Sequence, residues 1–358
     1  MELFAICYDE IELHDDDRDY TVMVGSYVCD IRGDLHKALG IPGDSSLKLE
    51  AIPPRHFNRV IIADGSVTKT SNVESLAGEA FYYENIPKQL QYLFPEYLSK
   101  NSDNNGNLSI EISKVEGATF SQLMVNRCVD EARLQCLLRA ITELHSHTIH
   151  GVLHCTSKPV PVDGSINFYS NYAKKVESRY QTHLELYERI STSGTSSDAF
   201  SVLQRILTAL NEYEVNQRAD VRTYIHGDPV FSNCLRSPCG RVRFIDMNGR
   251  LGQEFTTSGD CSYDLAKILQ SLHGYDYILL NVAMHDADIA ILRRLRHSFR
   301  DHVARHYPKI RWKDLHLITA SLFVSLIPLH DDFSHQLQFW QLGKSLLESW
   351  QLDGELTG

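Results

Sequence analysis

Two periodicities divide the chain. Up to residue 117 the readable runs alternate apolar and polar side chains: residues 47–52, 58–63, 66–70 and 108–112 read as strands, and Asp64-Gly65 between the second and third predicts a tight hairpin. From residue 118 onward apolar positions recur at helical spacing instead. The clearest case is 130–147, where Leu134, Leu137, Leu138, Ile141 and Leu144 share one face. Residues 168–190 and 200–211 carry the same signature, and it persists through Leu292, Leu317, Leu322 and Leu346. One helix falls in the strand-rich part, over 74–92, interrupted at Pro87, which lacks the amide a helix interior needs. Residues 101–107 are polar and asparagine-rich, hence a loop. Residues 1–43 are less regular, with β-prone runs at 3–8 and 20–28, a short helix at 34–39 closed by Gly40 and Pro42, and an acidic cluster, Asp15-Asp16-Asp17, that suits a solvated loop better than a metal site. The pattern as a whole is α+β, a small β-rich part followed by a larger, mainly helical one.

A chain of 358 residues is long enough for two such units, each with its own core. The net charge of −11 comes with Lys and Arg interspersed, which argues against nucleic acid as a partner and favours a neutral or cationic one. None of the eight cysteines forms a C-x-x-C pair, and the N-terminus does not resemble a leader. No apolar run approaches the roughly twenty residues that span a bilayer. The expectation is therefore a protein with free thiols in the cytoplasm, with no membrane association.

The densest chemistry lies between residues 224 and 246. Tyr224 and Ile225 lead into His226-Gly227-Asp228-Pro229-Val230-Phe231-Ser232-Asn233; after the turn composition Ser237-Pro238-Cys239-Gly240, the alternating Val242, Phe244 and Ile245 end on Asp246. A hairpin here returns Asp246 to the neighbourhood of Asp228 and Asn233. A carboxylate at Asp228 suits accepting or orienting a hydroxyl proton, while Asn233 and Asp246 offer the oxygens that hard cations prefer.

The run from His226 to Asn233, followed by Phe244-Ile245-Asp246, resembles the catalytic loop and metal-binding aspartate of the aminoglycoside phosphotransferase and choline kinase family, relatives of the protein kinases. Gly259-Asp260-Cys261-Ser262-Tyr263-Asp264-Leu265-Ala266 resembles the same family's G-D-x-x-Y-D-L-A segment. The resemblance implies a two-lobed, protein kinase-like fold, with an extension of unassigned role over 1–44, an N-lobe with nucleotide-binding sheet and hinge over 45–117, and a helical C-lobe with catalytic loop and acceptor site over 118–358. It implies ATP and Mg2+ as cofactors, Asp228 as the catalytic residue, and Asn233 and Asp246 as metal ligands. Lys69, at the end of the third strand, takes the place of the lysine that contacts nucleotide phosphates; Glu79 is the first choice for its carboxylate partner and Glu84 the second. In Ser113-Lys114-Val115-Glu116-Gly117, Ser113 and Val115 fall at the hinge, where backbone groups meet adenine, and His226 is grouped with the nucleotide site. Asp264, near a helix start, has the position of a brace for the catalytic loop. One departure stands out: where a glycine-rich phosphate loop is expected the chain has Pro53-Pro54-Arg55-His56-Phe57-Asn58, which leaves backbone amides of the turn, or Arg55 as a substitute charge.

The expected function is an ATP-dependent phosphotransferase acting on a hydroxyl of a small molecule, such as a sugar, an aminoglycoside-like compound or an amino alcohol, with no protein partner evident. The alternatives are a catalytically inactive, nucleotide-binding scaffold and a protein kinase. For the latter, the short run from Asp246 to Asp264, with no Ala-Pro-Glu after it, leaves little room for a peptide platform. Tyr169, Tyr172, Tyr180 and Arg179 are acceptor-site candidates, although an amphipathic core helix accounts for them better. His145, His147, His150 and His154, and the pair Cys234 and Cys239, read as packing and turn residues rather than zinc ligands.

Overall fold

The computed structural model describes residues 59–63, 65–71, 74–103, 106–147, 166–193 and 199–355. The expectations for residues 1–58, among them the acidic cluster, the 47–52 strand and Arg55, lie outside the described residues, as do those for His150 and His154.

Strands β1 (Arg59–Ala63), β2 (Ser66–Ser71), β3 (Tyr97–Ser102) and β4 (Leu108–Ser113) form an antiparallel sheet in the order β1-β2-β4-β3. Ala63 pairs with Ser66, so the first hairpin has a two-residue loop, and Gly65 takes φ +86°, a conformation open to glycine at little cost. Along β2, Val67, Lys69 and Ser71 turn to the buried face. Helix α1 (Glu74–Asn85) covers the sheet; it stops short of Pro87 instead of running to residue 92, and only a 3-10 turn, Gln91–Leu93, follows. Strand β3 was not expected. It lies on the sheet edge with four of its six side chains exposed and none fully buried, so burial imposes little alternation on its sequence.

After the short strand β5 (Ala118–Thr119), helix α2 (Phe120–Val125) opens with a capping box between Thr119 and Gln122. Helix α3 (Glu131–Ser146) starts on Asp130, whose carboxylate accepts the Arg133 amide at 2.8 Å, and buries the five apolar residues its sequence spacing singled out. Each such side chain contributes about 1.5–3 kcal/mol relative to exposure. The single helix expected over 168–190 is two: α4 (Ala173–Thr182) and α5 (Leu184–Thr192) break at His183, where the change of direction brings the Tyr180 and Tyr187 rings edge to face at 5.5 Å. Helix α6 (Ala199–Val215) follows. Six short strands, β6 (Val221–Arg222), β7 (Cys234–Arg236), β8 (Val242–Phe244), β9 (Arg250–Leu251), β10 (Glu254–Phe255) and β11 (Gly259–Asp260), then precede helices α7 (Cys261–Leu272), α8 (Tyr275–Leu279), α9 (Asp286–His306), α10 (Trp312–Leu326) and α11 (Phe333–Glu355).

One apolar core runs from the sheet (Val60, Ile110) through Phe120, Phe231 and Phe244 to α3 and α9. A second gathers α4, α5, α6, α10 and α11 around Tyr187, Leu203, Phe323 and Trp340. No helix among the described residues is long and apolar enough to cross a membrane.

Candidate active site

The β7–β8 hairpin pairs Cys234 with Phe244 and Arg236 with Val242, and its turn closes on Gly240 at φ +86°. Its return delivers the Ile245 amide to the Asn233 carbonyl at 3.1 Å, so Asp246 emerges beside Asn233 as the sequence spacing required. Asn233 ends a 3-10 turn (Phe231–Asn233) and donates from Nδ2 to the Asp228 carbonyl at 2.9 Å, tying the two loop residues together. The Asp228 amide donates to Nδ1 of His226 at 3.1 Å. Burial lowers the His226 pKa, keeping its ring a neutral acceptor.

Beneath this loop sits Asp264, fully buried in the first turn of α7. Its carboxylate accepts the amides of His226 and Gly227, both at 2.7 Å, and lies 3.0 Å from Nε2 of His145, whose Nδ1 is 2.8 Å from the Tyr307 hydroxyl. A carboxylate with this many partners is repaid for its desolvation and holds the loop in one shape.

On the other side of the cleft the Lys69 ammonium, 3% exposed, lies 2.6 Å from Oε1 of Glu79 and is also ion-paired with Asp246. Burial raises the Glu79 carboxyl to about 7, against the lowering pull of Lys69. Glu84 instead meets Lys100 at 3.0 Å on the exposed face, so of the two candidates Glu79 is the one beside Lys69. Asp246 itself adopts φ +60°, a left-handed conformation that aspartate tolerates better than most side chains. The loop after it interlocks with the one bearing Asp228: the Asn248 amide donates to the His226 carbonyl at 2.9 Å, and a Cβ on Gly227 (φ +85°) would lie 2.6 Å from Cβ of Asn248. Side chains from β2, α1 and two loops thus converge, one partner being 177 positions away from another.

Other expected residues fall elsewhere. Ser113 and Val115 line a cavity of ≈ 950 Å³ with Tyr92, Tyr97, Arg241 and Arg243, which does not include Lys69, Glu79, Asp228 or Asp246. The Ser113 amide donates to Glu96 and that of Lys114 to Gly65, at 2.8 and 2.9 Å. Among the acceptor candidates, Tyr172 donates to Asp260 at 2.6 Å, Tyr169 accepts the Ala219 amide at 3.2 Å, and Arg179 donates to the Ser325 carbonyl at 2.6 Å, all contacts within the helical lobe. His147 rests its ring against Tyr224, Cys234 is buried and Cys239 exposed; among the described residues no three His, Cys, Asp or Glu side chains group as a metal site.

Sequence reasoning overlooked Lys267. Its ammonium forms an ion pair with Oδ1 of Asp228 at 2.9 Å. The available signal was its place three residues after Asp264, which on a helix puts both on one face.

No protein-family model matches the chain, and no curated protein does. Solved structures do. The chain is similar to aminoglycoside phosphotransferase APH(4)-Ia, with a TM-score of 0.52 and 13% identity over 82% of this chain and 90% of that one. It is similar to a thermostable mutant of that enzyme in ternary complex with ADP and hygromycin B (TM-score 0.52, 12% identity, 82% and 91% covered), and to the apo form of a thermostable mutant (0.50, 12%, 82% and 91%). At such identities the likeness is one of architecture: the chain has the two-lobed, protein kinase-like fold of the aminoglycoside phosphotransferases.

Proposed function

We propose that this chain is an ATP-dependent phosphotransferase that moves the γ-phosphoryl group to a hydroxyl of a small molecule. The observation that carries the reading is the Lys69 ammonium held between Glu79 and Asp246, on a loop interlocked with the one that presents Asp228 and Asn233. Residues 45–117 act as the nucleotide lobe and 118–358 as the catalytic and acceptor lobe, with Ser113 and Val115 at the adenine end. Free thiols at five described cysteines suit the reducing cytoplasm.

The donor set fits magnesium. Asp246 offers a carboxylate whose side chain is 26% exposed and already beside a cation, and Asn233 an amide oxygen. Magnesium asks for few protein ligands because it keeps water and takes phosphate oxygens. Bound there, it would neutralise charge on the phosphates. Lys69, steered by Glu79, places the phosphates. Asp228 orients the acceptor hydroxyl, whose oxygen attacks the γ-phosphorus as the bond to the β-phosphate oxygen breaks; the hydroxyl proton passes to Asp228 and ADP leaves. His226 and Asp264 act through the loop backbone. Positioning and charge neutralisation supply most of the acceleration in such reactions.

A small acceptor is supported by the short path from Asp246 to α7, filled only by the two-residue strands β9 to β11, and by the hygromycin B held by the fold relative. The test is acceptor-dependent ADP release across sugars, aminoglycosides, choline-like amines, nucleosides and a generic peptide. Turnover with a small hydroxyl compound is expected. ATP binding without turnover on any of these would establish a scaffold, and turnover with peptide alone a protein kinase.

A further inference from the structure

Lys267 stands one helical turn beyond Asp264 on α7, so one helix face anchors the His226-Gly227-Asp228 backbone and sets an ammonium against the Asp228 carboxylate. The lysine is 15% exposed on its side chain and Asp228 29%, yet Oδ1 of Asp228, the atom that meets Lys267, is itself buried. The exposed part of the carboxylate therefore carries Oδ2. The Lys267 stem is seated as well: its ammonium lies 5.8 Å from the ring centre of Tyr263, and the Tyr263 hydroxyl accepts from Lys175 at 2.9 Å. Tyr172 meets the same ring edge to face at 5.8 Å. Asp228 also lies within electrostatic reach of His226 on its own loop and of Cys234 on β7. Lys267 supplies the opposite charge.

We propose that Lys267 is a positioning residue for phosphoryl transfer: it clamps Oδ1 of Asp228, turning Oδ2 toward the acceptor hydroxyl. This rests on the phosphotransferase reading above. The proton balance is unchanged, since Lys267 remains an ammonium while the hydroxyl proton passes to Oδ2.

The experiment compares Lys267→Met, Lys267→Arg and Asp228→Asn with the native chain by ADP release, with acceptor and with water alone, together with ATP binding and thermal unfolding. Lys267→Met should lower kcat by about 10²-fold, the scale of misplacing a catalytic group by about 1 Å, with KM for ATP unchanged. Lys267→Arg, which keeps the charge, should restore at least about tenfold of that loss. A folded Lys267→Met variant with native kcat, alongside an inactive Asp228→Asn, overturns the proposal and leaves the phosphotransferase reading standing. If Lys267→Met does not fold, a Lys267→Arg variant as slow as Asp228→Asn overturns it too. A native chain with no turnover, or an Asp228→Asn variant as active as native, removes the underlying reading and this proposal with it.

Discussion

Gly78 and Gly249 meet backbone to backbone: a Cβ on Gly249 would penetrate the carbonyl oxygen of Gly78, and one on Gly78 would penetrate that of Asn248. The helix that carries Glu79 therefore lies flush on the loop that carries Asp246, with no side chain between them to yield. Gly78→Ala gains about 1 kcal/mol of helix propensity, but it must push α1 away from rigid backbone, an overpacking cost of about 1–3 kcal/mol. The expected net effect is lower stability with weaker ATP binding, as Lys69 loses its alignment with both carboxylates. Denaturant unfolding and ATP titration check this; native ATP affinity in the variant would show that the alignment does not depend on the contact.

Asp228→Asn should lower turnover by about 10²-fold or more, the usual worth of a general base, while ATP affinity stays near native. The group acts chiefly in the transition state. Steady-state kinetics beside equilibrium nucleotide binding separates the two quantities.

Asp246→Ala should abolish the magnesium dependence of ATP binding, and Lys69→Met should weaken binding with and without magnesium. Calorimetry with and without the metal distinguishes them. A magnesium dependence that survives loss of Asp246 would assign the cation to another carboxylate.

Asp264→Ala removes the acceptor of two buried amides and the partner of His145. At about 1–3 kcal/mol for each stranded group, the two amides alone imply a loss of roughly 2–6 kcal/mol in unfolding free energy. Turnover should fall in the fraction that remains folded, because the amides flanking Asp228 are no longer held.

Burial pushes His273 down to about 3 and His302 to about 4. For both, the unfolded chain takes up a proton first, near pH 6.5, so their contribution to stability is present above that value and is lost as the pH falls toward the folded values. Glu79 and Asp276, raised by burial to about 7 and about 6, work in the opposite sense, losing stability as the pH rises through those values. The His273 contribution is isolated by comparison with His273→Gln: on acidification from pH 7 to pH 4 the native chain should lose more stability than the variant. Thermal melts across that range measure the difference.

Much of this was legible because it is local. The hairpin that returns Asp246 to Asn233 follows from turn chemistry and alternation, and α3 from apolar spacing bounded by a capping aspartate. Lys69 with Glu79 was legible only through the resemblance, since nothing in either segment says which carboxylate of α1 turns inward. What stayed hidden depended on tertiary setting. The edge strand β3 has no buried face to pattern it, and the break at His183 answers to the packing of Tyr180 on Tyr187. Lys267 reads as an ordinary helix lysine until Asp228 is seen beside it.

The lysine lodged between Glu79 and Asp246 has a consequence for how the protein waits. Two acidic side chains facing one cleft would ordinarily make folding hostage to the supply of a divalent ion. Here the polypeptide carries its own counter-charge: the ammonium of Lys69 faces both carboxylates and offsets part of their repulsion. On the proposed reading, a chelator should therefore silence the protein without unfolding it, and a nucleotide would find a cradle in which one internal contact loosens as an external one forms.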